Sequence, residues 1–344
     1  MKNLRPSIVL SLLFLFITMA TFGQYRTKKY IRRNRKAPTM FCDDRTVYAR
    51  GLLVEDHRTF TGNSDGTLYY FNTEKETVQM LFRLEDFTEM RDIERSGDFI
   101  MGIQSGDNGK IVRISNGGVT KIIQPDMWKG IFLDGMDFLG NRGFLMGDPV
   151  DGKFSLFHTA DNGQNWSKCE GEVDAIKDEA GFAASGTNVQ VLNDSTYIFV
   201  SGGQQSRYIK STDNGKTWKD VVLPYYPGEG SGAFSIHFSN EKIGMIVGGD
   251  YTNPDLILNT CFYTQDGGES WFNPKTPPRG YRSCVFEKDG IFYCCGRNGI
   301  DFSQDGGVNW TGFADGTYYS LGANDKSLIA TTTGGEIQLF DLFK

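Results

Sequence analysis

The chain has 344 residues, 39% of them hydrophobic, and 36 Lys plus Arg against 42 Asp plus Glu give a formal net charge of −6. That acidic balance argues against nucleic acid as a partner, which requires a basic surface. Three unclustered histidines (His57, His158, His237) and six cysteines without ligand spacing argue against a metal site, and no phosphate loop, dinucleotide fingerprint or Gly-x-Ser-x-Gly elbow points to a cofactor.

Residues 1–23 read as a signal peptide. Lys2 and Arg5 precede an apolar run from Ile8 to Ala20, and the small residues Thr21 and Gly23 fit cleavage before Gln24. That run is too short to span a bilayer, and no later run is long enough. The mature protein is therefore expected to be exported, periplasmic or secreted, with no transmembrane segment. Residues 24–37 form a basic arm in which Arg26, Lys28, Lys29, Arg32, Arg33, Arg35 and Lys36 stand without an acidic neighbour. The arm is expected to be a solvated leader with at most weak electrostatic contact with anionic surfaces.

Residues 38–344 read as one domain of repeated β units. The first unit holds TFTGNSDGTLYYFN around Asp65 and Gly66, and the second FIMGIQSGDNGKIVRIS around Asp107 and Gly109. Both are taken as loose versions of a corner that becomes regular in the next four. The third unit reads GMDFLGN, GFLMGD, KFSLFHT and WSKC, and the fourth NVQVLND, TYIFVSGG, RYIKST and WKDVVL. The fifth reads AFSIHFS, IGMIVGGD, TCFYTQ and WFNP, and the sixth RSCVFEK, IFYCCGR, GIDFSQ and WTGF. Alternating patterns, β-branched and aromatic residues and glycine-rich breaks mark these as strands. A seventh unit, TYYSLGAN, SLIATTT and EIQLFDLF, stops after three strands, and residues near Pro38 to Tyr48 are expected to add the fourth and cover its edge.

One eight-residue phrase recurs in the regular units: TADNGQNW ending at Trp166, STDNGKTW at Trp218, TQDGGESW at Trp271 and SQDGGVNW at Trp310. Its acidic residues, Asp161, Asp213, Asp266 and Asp305, are suited to accept backbone N–H groups in an Asx-type turn, and the following glycine supplies positive φ. The indole then buries a large ring between sheets. A repeat of this spacing marks a propeller or solenoid. The phrase resembles the Asp-box, or BNR, repeat of sialidases, sortilin-type receptors, some glycoside hydrolases and photosystem II stability/assembly factors. The resemblance implies an all-β, seven-bladed β-propeller of four-stranded antiparallel blades, with the Asp-box turns between third and fourth strands.

Strand connectivity then separates two faces. The first and third turns share one face, while the second turns and the blade-to-blade links share the other. On that second face GDPVDGK, SGGQQSR and GGDYTNPD, with the links EVDAIKDEAGFAASGTN and YYPGEGSGAF, bring polar groups toward one mouth. The candidate ligand-binding residues there are Asp148, Arg207, Asp250, Tyr251, Glu229 and Arg282. The chain looks most like the photosystem II factor type, which implies an exported, non-enzymatic propeller that binds a protein partner, or a glycan, through this face. The central arginine patch of that type has no clear counterpart in the sequence.

The alternative is a glycoside hydrolase or sialidase-like enzyme at the same mouth. Asp134, Asp148, Glu179, Glu229 and Asp250 offer carboxylates, and Arg50, Arg91, Arg207, Arg282 and Arg297 offer guanidinium groups. No recognisable catalytic set selects among them. Asp289–Gly290 reads as a hairpin turn that sets Cys284 opposite Cys295. A cross-strand disulfide and buried free thiols both fit that placement.

Overall fold

The computed structural model of the protein describes residues 35–36, 47–85, 88–115 and 118–342. The proposed signal peptide, nearly all of the basic arm and Cys42 lie outside them. The strands form seven antiparallel sheets. Blade 1 comprises Ala49–Glu55, Arg58–Asn63, Thr67–Asn72 and Thr77–Arg83, and blade 2 comprises Met90–Ser96, Phe99–Gln104, Lys110–Ser115 and Gly118–Ile123. Blade 3 runs Leu133–Leu139, Arg142–Val150, Lys153–Thr159 and Ser167–Lys168, and blade 4 runs Val189–Asn193, Thr196–Val200, Ser206–Ser211 and Lys219–Leu223. Blade 5 holds Ser231–Phe238, Gly244–Asp250 and Cys261–Thr264, with a single bridge from Tyr263 to Phe272 in its fourth position. Blade 6 holds Cys284–Lys288, Ile291–Gly296, Gly299–Ser303 and Thr311–Ala314.

Blade 7 runs Tyr318–Ala323, Ser327–Thr332 and Ile337–Asp341. Its fourth strand is Arg35–Lys36, which pairs with Leu339 and Gln338. The closing strand thus comes from just ahead of the stretch expected to supply it, at the end of the basic arm. Tyr48, at the other end of that stretch, instead bridges Thr333. The first and last segments of the chain meet in one sheet, and Arg35–Lys36 covers the outer edge of Ile337–Asp341.

The Asp-box corners follow a common hydrogen-bond plan. In blade 4, Asp213 Oδ1 accepts Lys216 N at 3.1 Å and Thr217 N at 2.9 Å, and Oδ2 accepts the Thr217 hydroxyl at 2.7 Å. The Ser211 hydroxyl accepts Gly215 N at 2.8 Å. Asn214 and Gly215 both take positive φ, which is why an Asn–Gly or Gly–Gly pair follows the aspartate. The Thr217 hydroxyl and backbone N–H groups hold Asp213 down to about 2. The two early corners differ from expectation. Asp65 sits between the second and third strands of blade 1, where its Oδ1 accepts Thr67 N at 3.2 Å. Asp107 sits between the second and third strands of blade 2. Both are second turns on the opposite face, where an Asx turn needs an Asp but no tryptophan.

Seven apolar clusters lie in the seven seams between neighbouring blades. In four of them the box tryptophan of one blade plugs the gap against the preceding blade. Trp166 packs between blades 2 and 3, Trp218 between blades 3 and 4, Trp271 between blades 4 and 5, and Trp310 between blades 5 and 6. Trp218 meets Phe144 of blade 3 at 5.7 Å and Phe199 of blade 4 at 5.6 Å between ring centroids. Each such ring buries on the order of 150–250 Å².

Polar side chains also link inner strands across the seams. Asp92 Oδ2 accepts Met136 N at 2.9 Å, Asp137 Oδ2 accepts Val191 N at 2.6 Å, Gln190 Oε1 accepts Phe238 N at 2.7 Å and Ser235 Oγ accepts Val285 N at 2.9 Å. Thr331 Oγ1 closes the ring by donating to Ala49 O at 2.8 Å. Burial raises Asp137 to about 6 and Asp92 well above the carboxylate range, against the backbone N–H groups that favour the charged forms. Cys284 lies opposite Cys295, and both are buried free thiols, as are Cys169, Cys261 and Cys294. Among the described residues no helix is long and apolar enough to cross a membrane.

Candidate functional site

The first turns touch the Asp boxes of their own blades. Asn162 N donates to Asn141 O at 2.9 Å, Asn214 N to Ser195 O at 2.9 Å and Gly267 N to Lys242 O at 3.0 Å. The second turns and links therefore gather on the opposite face, around the central axis.

One link enters the axis itself. The segment 181–187, between blades 3 and 4, touches five other parts of the ring. Gly181 N donates to Asp148 of blade 3 at 3.0 Å, and Ala183 O accepts Arg50 of blade 1 at 3.3 Å and Arg91 of blade 2 at 2.7 Å. Phe182 stacks on Phe234 of blade 5 at 4.5 Å, and the Ser185 hydroxyl donates to Ser283 O beside blade 6 at 2.8 Å. The sequence here is Gly-Phe-Ala-Ala-Ser-Gly-Thr, small enough to thread the crowded axis. A Cβ on Gly186, whose φ is +76°, would stand 2.0 Å from Asp92 Oδ1. The segment is a plug. Its upstream end is the short strand Glu179–Ala180, which pairs with Gly202–Gly203 on the inner edge of blade 5.

Above the plug lies a cavity of about 480 Å³. Arg50, Arg91, Asp134 and Asp148 line it from blades 1 to 3, and Glu229, Tyr251, Tyr281 and Arg297 line it from blades 5 and 6. Arg91 is saturated: it donates to Ser105 Oγ at 2.8 Å, Ala183 O at 2.7 Å and Glu89 at 2.7 Å, and lies 4.9 Å from the Phe132 ring centroid. Arg50 reaches Glu89 at 3.5 Å and the Tyr48 ring at 4.8 Å. Arg297 is exposed and lies 6.0 Å from the Tyr251 ring centroid. Among the described residues no acidic side chain pairs with it.

Asp134 and Asp148 face one another on the cavity wall. Burial, then the Asp148 charge, push Asp134 well above the usual carboxylate range. Burial also raises Asp148, but Gly181 N and Arg91 favour its charged form. The two carboxyls oppose each other's ionisation, and Arg91 beside them favours the charged form of both.

The structure brings Asp148, Glu229 and Tyr251 together around this cavity. Arg207 and Arg282 turn away from it. The Arg207 guanidinium forms a fork with Glu179 at 2.8 and 2.7 Å, and Arg282, fully buried, pairs with Asp301 and donates to Tyr281 O at 2.8 Å. Asp250 closes its own turn by accepting Thr252 N at 2.8 Å. Glu179 is sequestered by Arg207 and the Ser201 hydroxyl. Sequence reasoning named Arg297 only among the guanidinium groups of the enzyme alternative, and it missed that the 181–187 link is a plug. A run of small residues with one Phe inside a long link is the signal that marks such a segment.

Residues 154–299 match the family model described as Sortilin-Vps10, sortilin and neurotensin receptor 3. No curated protein matches the chain by sequence. Among solved structures, the WD40 propeller of Doa1 is similar at TM-score 0.64 with 10% identity, covering 90% of this chain and 98% of that one. YCF48 bound to a D1 peptide is similar at TM-score 0.59 with 13% identity, covering 90% and 95%. The WD40 domain of Neurospora crassa Pan2 is similar at TM-score 0.62 with 11% identity, covering 89% and 93%. At these identities the structures establish the propeller fold.

Proposed function

We propose that the protein is an exported binding module without enzymatic activity, and that its plugged mouth takes a segment of a partner protein. Arg297 carries this reading. It is an exposed cation with no acidic partner among the described residues, set over Tyr251 at the rim of a polar bowl. A carboxylate of the partner would complete it by a charge-assisted hydrogen bond, while Tyr251, Tyr281 and Phe234 would take an adjoining apolar side chain. The plug supports binding over turnover, because it fills the axis and leaves a bowl in place of a through-going cleft. The sortilin-type match and the propeller solved with a peptide support the choice of a protein ligand.

The test is fluorescence polarisation against a peptide library carrying free C-terminal carboxylates or internal Asp and Glu, with a glycan array in parallel. Peptide binding that is lost in Arg297→Ala supports the reading. Undiminished binding in that variant, or response to glycans alone, rejects it.

A sialidase-like or glycoside hydrolase activity is the second reading, favoured by the convergence of Arg50, Arg91 and Arg297 with Glu229 and Asp148 in one cavity. Asp134 and Asp148 lie within side-chain hydrogen-bond reach of each other, closer than the separated carboxyls of a glycosidase, roughly 5–10 Å apart, so Glu229 would have to be one member. Turnover of fluorogenic sialosides or glycosides that disappears in Glu229→Gln would establish it.

A further inference from the structure

The four tryptophan-filled seams define what a completed seam of this ring contains. In each, the box turn of one blade delivers an indole into the gap against the blade before it. Blade 2 has no such turn. Its third and fourth strands, Lys110–Ser115 and Gly118–Ile123, pair directly from Ser115 to Gly118, with only residues 116 and 117 between them. A two-residue link cannot carry the eight-residue box, so the seam between blades 1 and 2 receives no indole from it.

The seams on either side of blade 7, which also lack a box, are filled by other rings. Phe313 lies 5.6 Å from Phe340 and 6.2 Å from Phe302 between blades 6 and 7, and Phe71 packs with Ile337 and Leu339 between blades 7 and 1. Between blades 1 and 2 a cavity of about 390 Å³ remains. Its floor is Phe60, Ile100 and Ile114, all buried, and its walls include Tyr70 and Leu81. Phe60 and Tyr70 stand 5.4 Å apart with their rings tilted by 39°. The guanidinium of Arg95 lies 5.7 Å from the Phe60 centroid, fixed by Glu55 at 2.5 and 2.6 Å, and Arg58 stands at the mouth with its side chain 47% exposed. The surroundings are apolar below and aromatic at the side, and the rim is charged, with Asp98 beside the Arg58 and Arg95 guanidinium groups that Glu55 holds.

We infer that this cavity is a binding site for a planar aromatic group of indole size, taken from outside the chain. The site repeats the environment that the ring elsewhere fills with its own tryptophan. The aliphatic floor takes the ring face or edge, Phe60 and Tyr70 offer edge contacts, and Arg58 and Arg95 supply cations to its π face. The same chemistry is presented by a free indole-type small molecule and by a tryptophan side chain on another protein. The site is separate from the plugged mouth and does not depend on what binds there.

The experiment is ligand-observed fluorine NMR on the full mature chain with 5-fluoroindole and with the N-acetyl amide of 5-fluorotryptophan. Saturable binding of either probe is expected at a dissociation constant on the order of 1 mM or tighter, displaced by the unlabelled aromatic and not by N-acetyl-leucinamide. Leu81→Trp places an indole in the cavity and should abolish binding, and Gln79→Trp, at an exposed position on the same wall, serves if the first variant does not fold. Arg297→Ala should leave it unchanged. Preference for the amide over the bare ring identifies a protein-borne side chain, and the reverse identifies a free ligand. No saturable binding to the parent protein, or binding that survives both filling variants, overturns the inference.

Discussion

Arg207 and Glu179 close on each other in a two-bond fork at 2.8 and 2.7 Å, with the Glu179 side chain fully buried and that of Arg207 8% exposed. Sequence reasoning placed Arg207 at the mouth as a ligand group, but its guanidinium faces the other way and holds the upstream end of the plug. Arg207 also donates to Asp174 O at 2.7 Å, farther back along the same link. Arg207→Ala leaves the Glu179 charge buried without its partner, which costs about 3–5 kcal/mol. The double change Glu179→Leu with Arg207→Met should cost much less. Urea denaturation of the parent and these two variants checks this, and equal losses in the single and double variants would contradict it.

Arg297 has the opposite character. It is exposed, and its contact within the chain is the Tyr251 ring. Arg297→Ala should change stability by less than about 0.5 kcal/mol, as surface substitutions do. It should weaken binding of a carboxylate-bearing ligand about tenfold or more, the loss of one charge-assisted bond. Arg297→Lys should recover part of the affinity. Paired melting and binding curves separate these effects.

Trp218 is held by rings on both sides, and among the described residues its indole N–H has no hydrogen-bond partner. Its contribution is therefore contact area and volume. Trp218→Ala should cost about 3–5 kcal/mol, and Trp218→Phe should cost clearly less, since no hydrogen bond is lost. Near-equal losses would mean that the indole N–H is satisfied by an ordered water.

Asp137 is raised by burial to about 6 while accepting Val191 N across the seam between blades 3 and 4. A carboxyl whose folded value lies above its unfolded value of about 3.9 binds more protons in the folded state. Stability should therefore fall as pH rises from about 4 to about 6, and level off above that. Asp137→Asn keeps an acceptor for Val191 N, gives up the one that Oδ1 offers Phe138 N at 2.8 Å, and removes the charge. The rise to about 6 corresponds to about 3 kcal/mol, from which the lost Phe138 contact takes about 1–2 kcal/mol, so the variant should be more stable than the parent by about 1 kcal/mol at neutral pH and less stable near pH 4. Thermal melts across that range check the sign.

The Asp-box phrase, with the strand patterns of the units that lack it, determined the architecture. Its turn chemistry is local: Asp213, Asn214, Gly215 and Trp218 are within six residues, so pattern and geometry coincide, and the spacing of the phrase counts the blades. The same locality set Cys284 opposite Cys295 across a hairpin. The opposite face follows a different logic. Which arginine is free was decided by partners 19 to 133 residues away, since Arg207 meets Glu179, Arg282 meets Asp301, Arg50 meets Ala183 and Arg297 meets no acid among the described residues. Whether the 181–187 link lies over the mouth or inside it depended on the width of the axis that seven closed blades leave. Local turn chemistry is written in short stretches of sequence; charge pairing and the filling of a shared axis exist only once distant segments have been brought together.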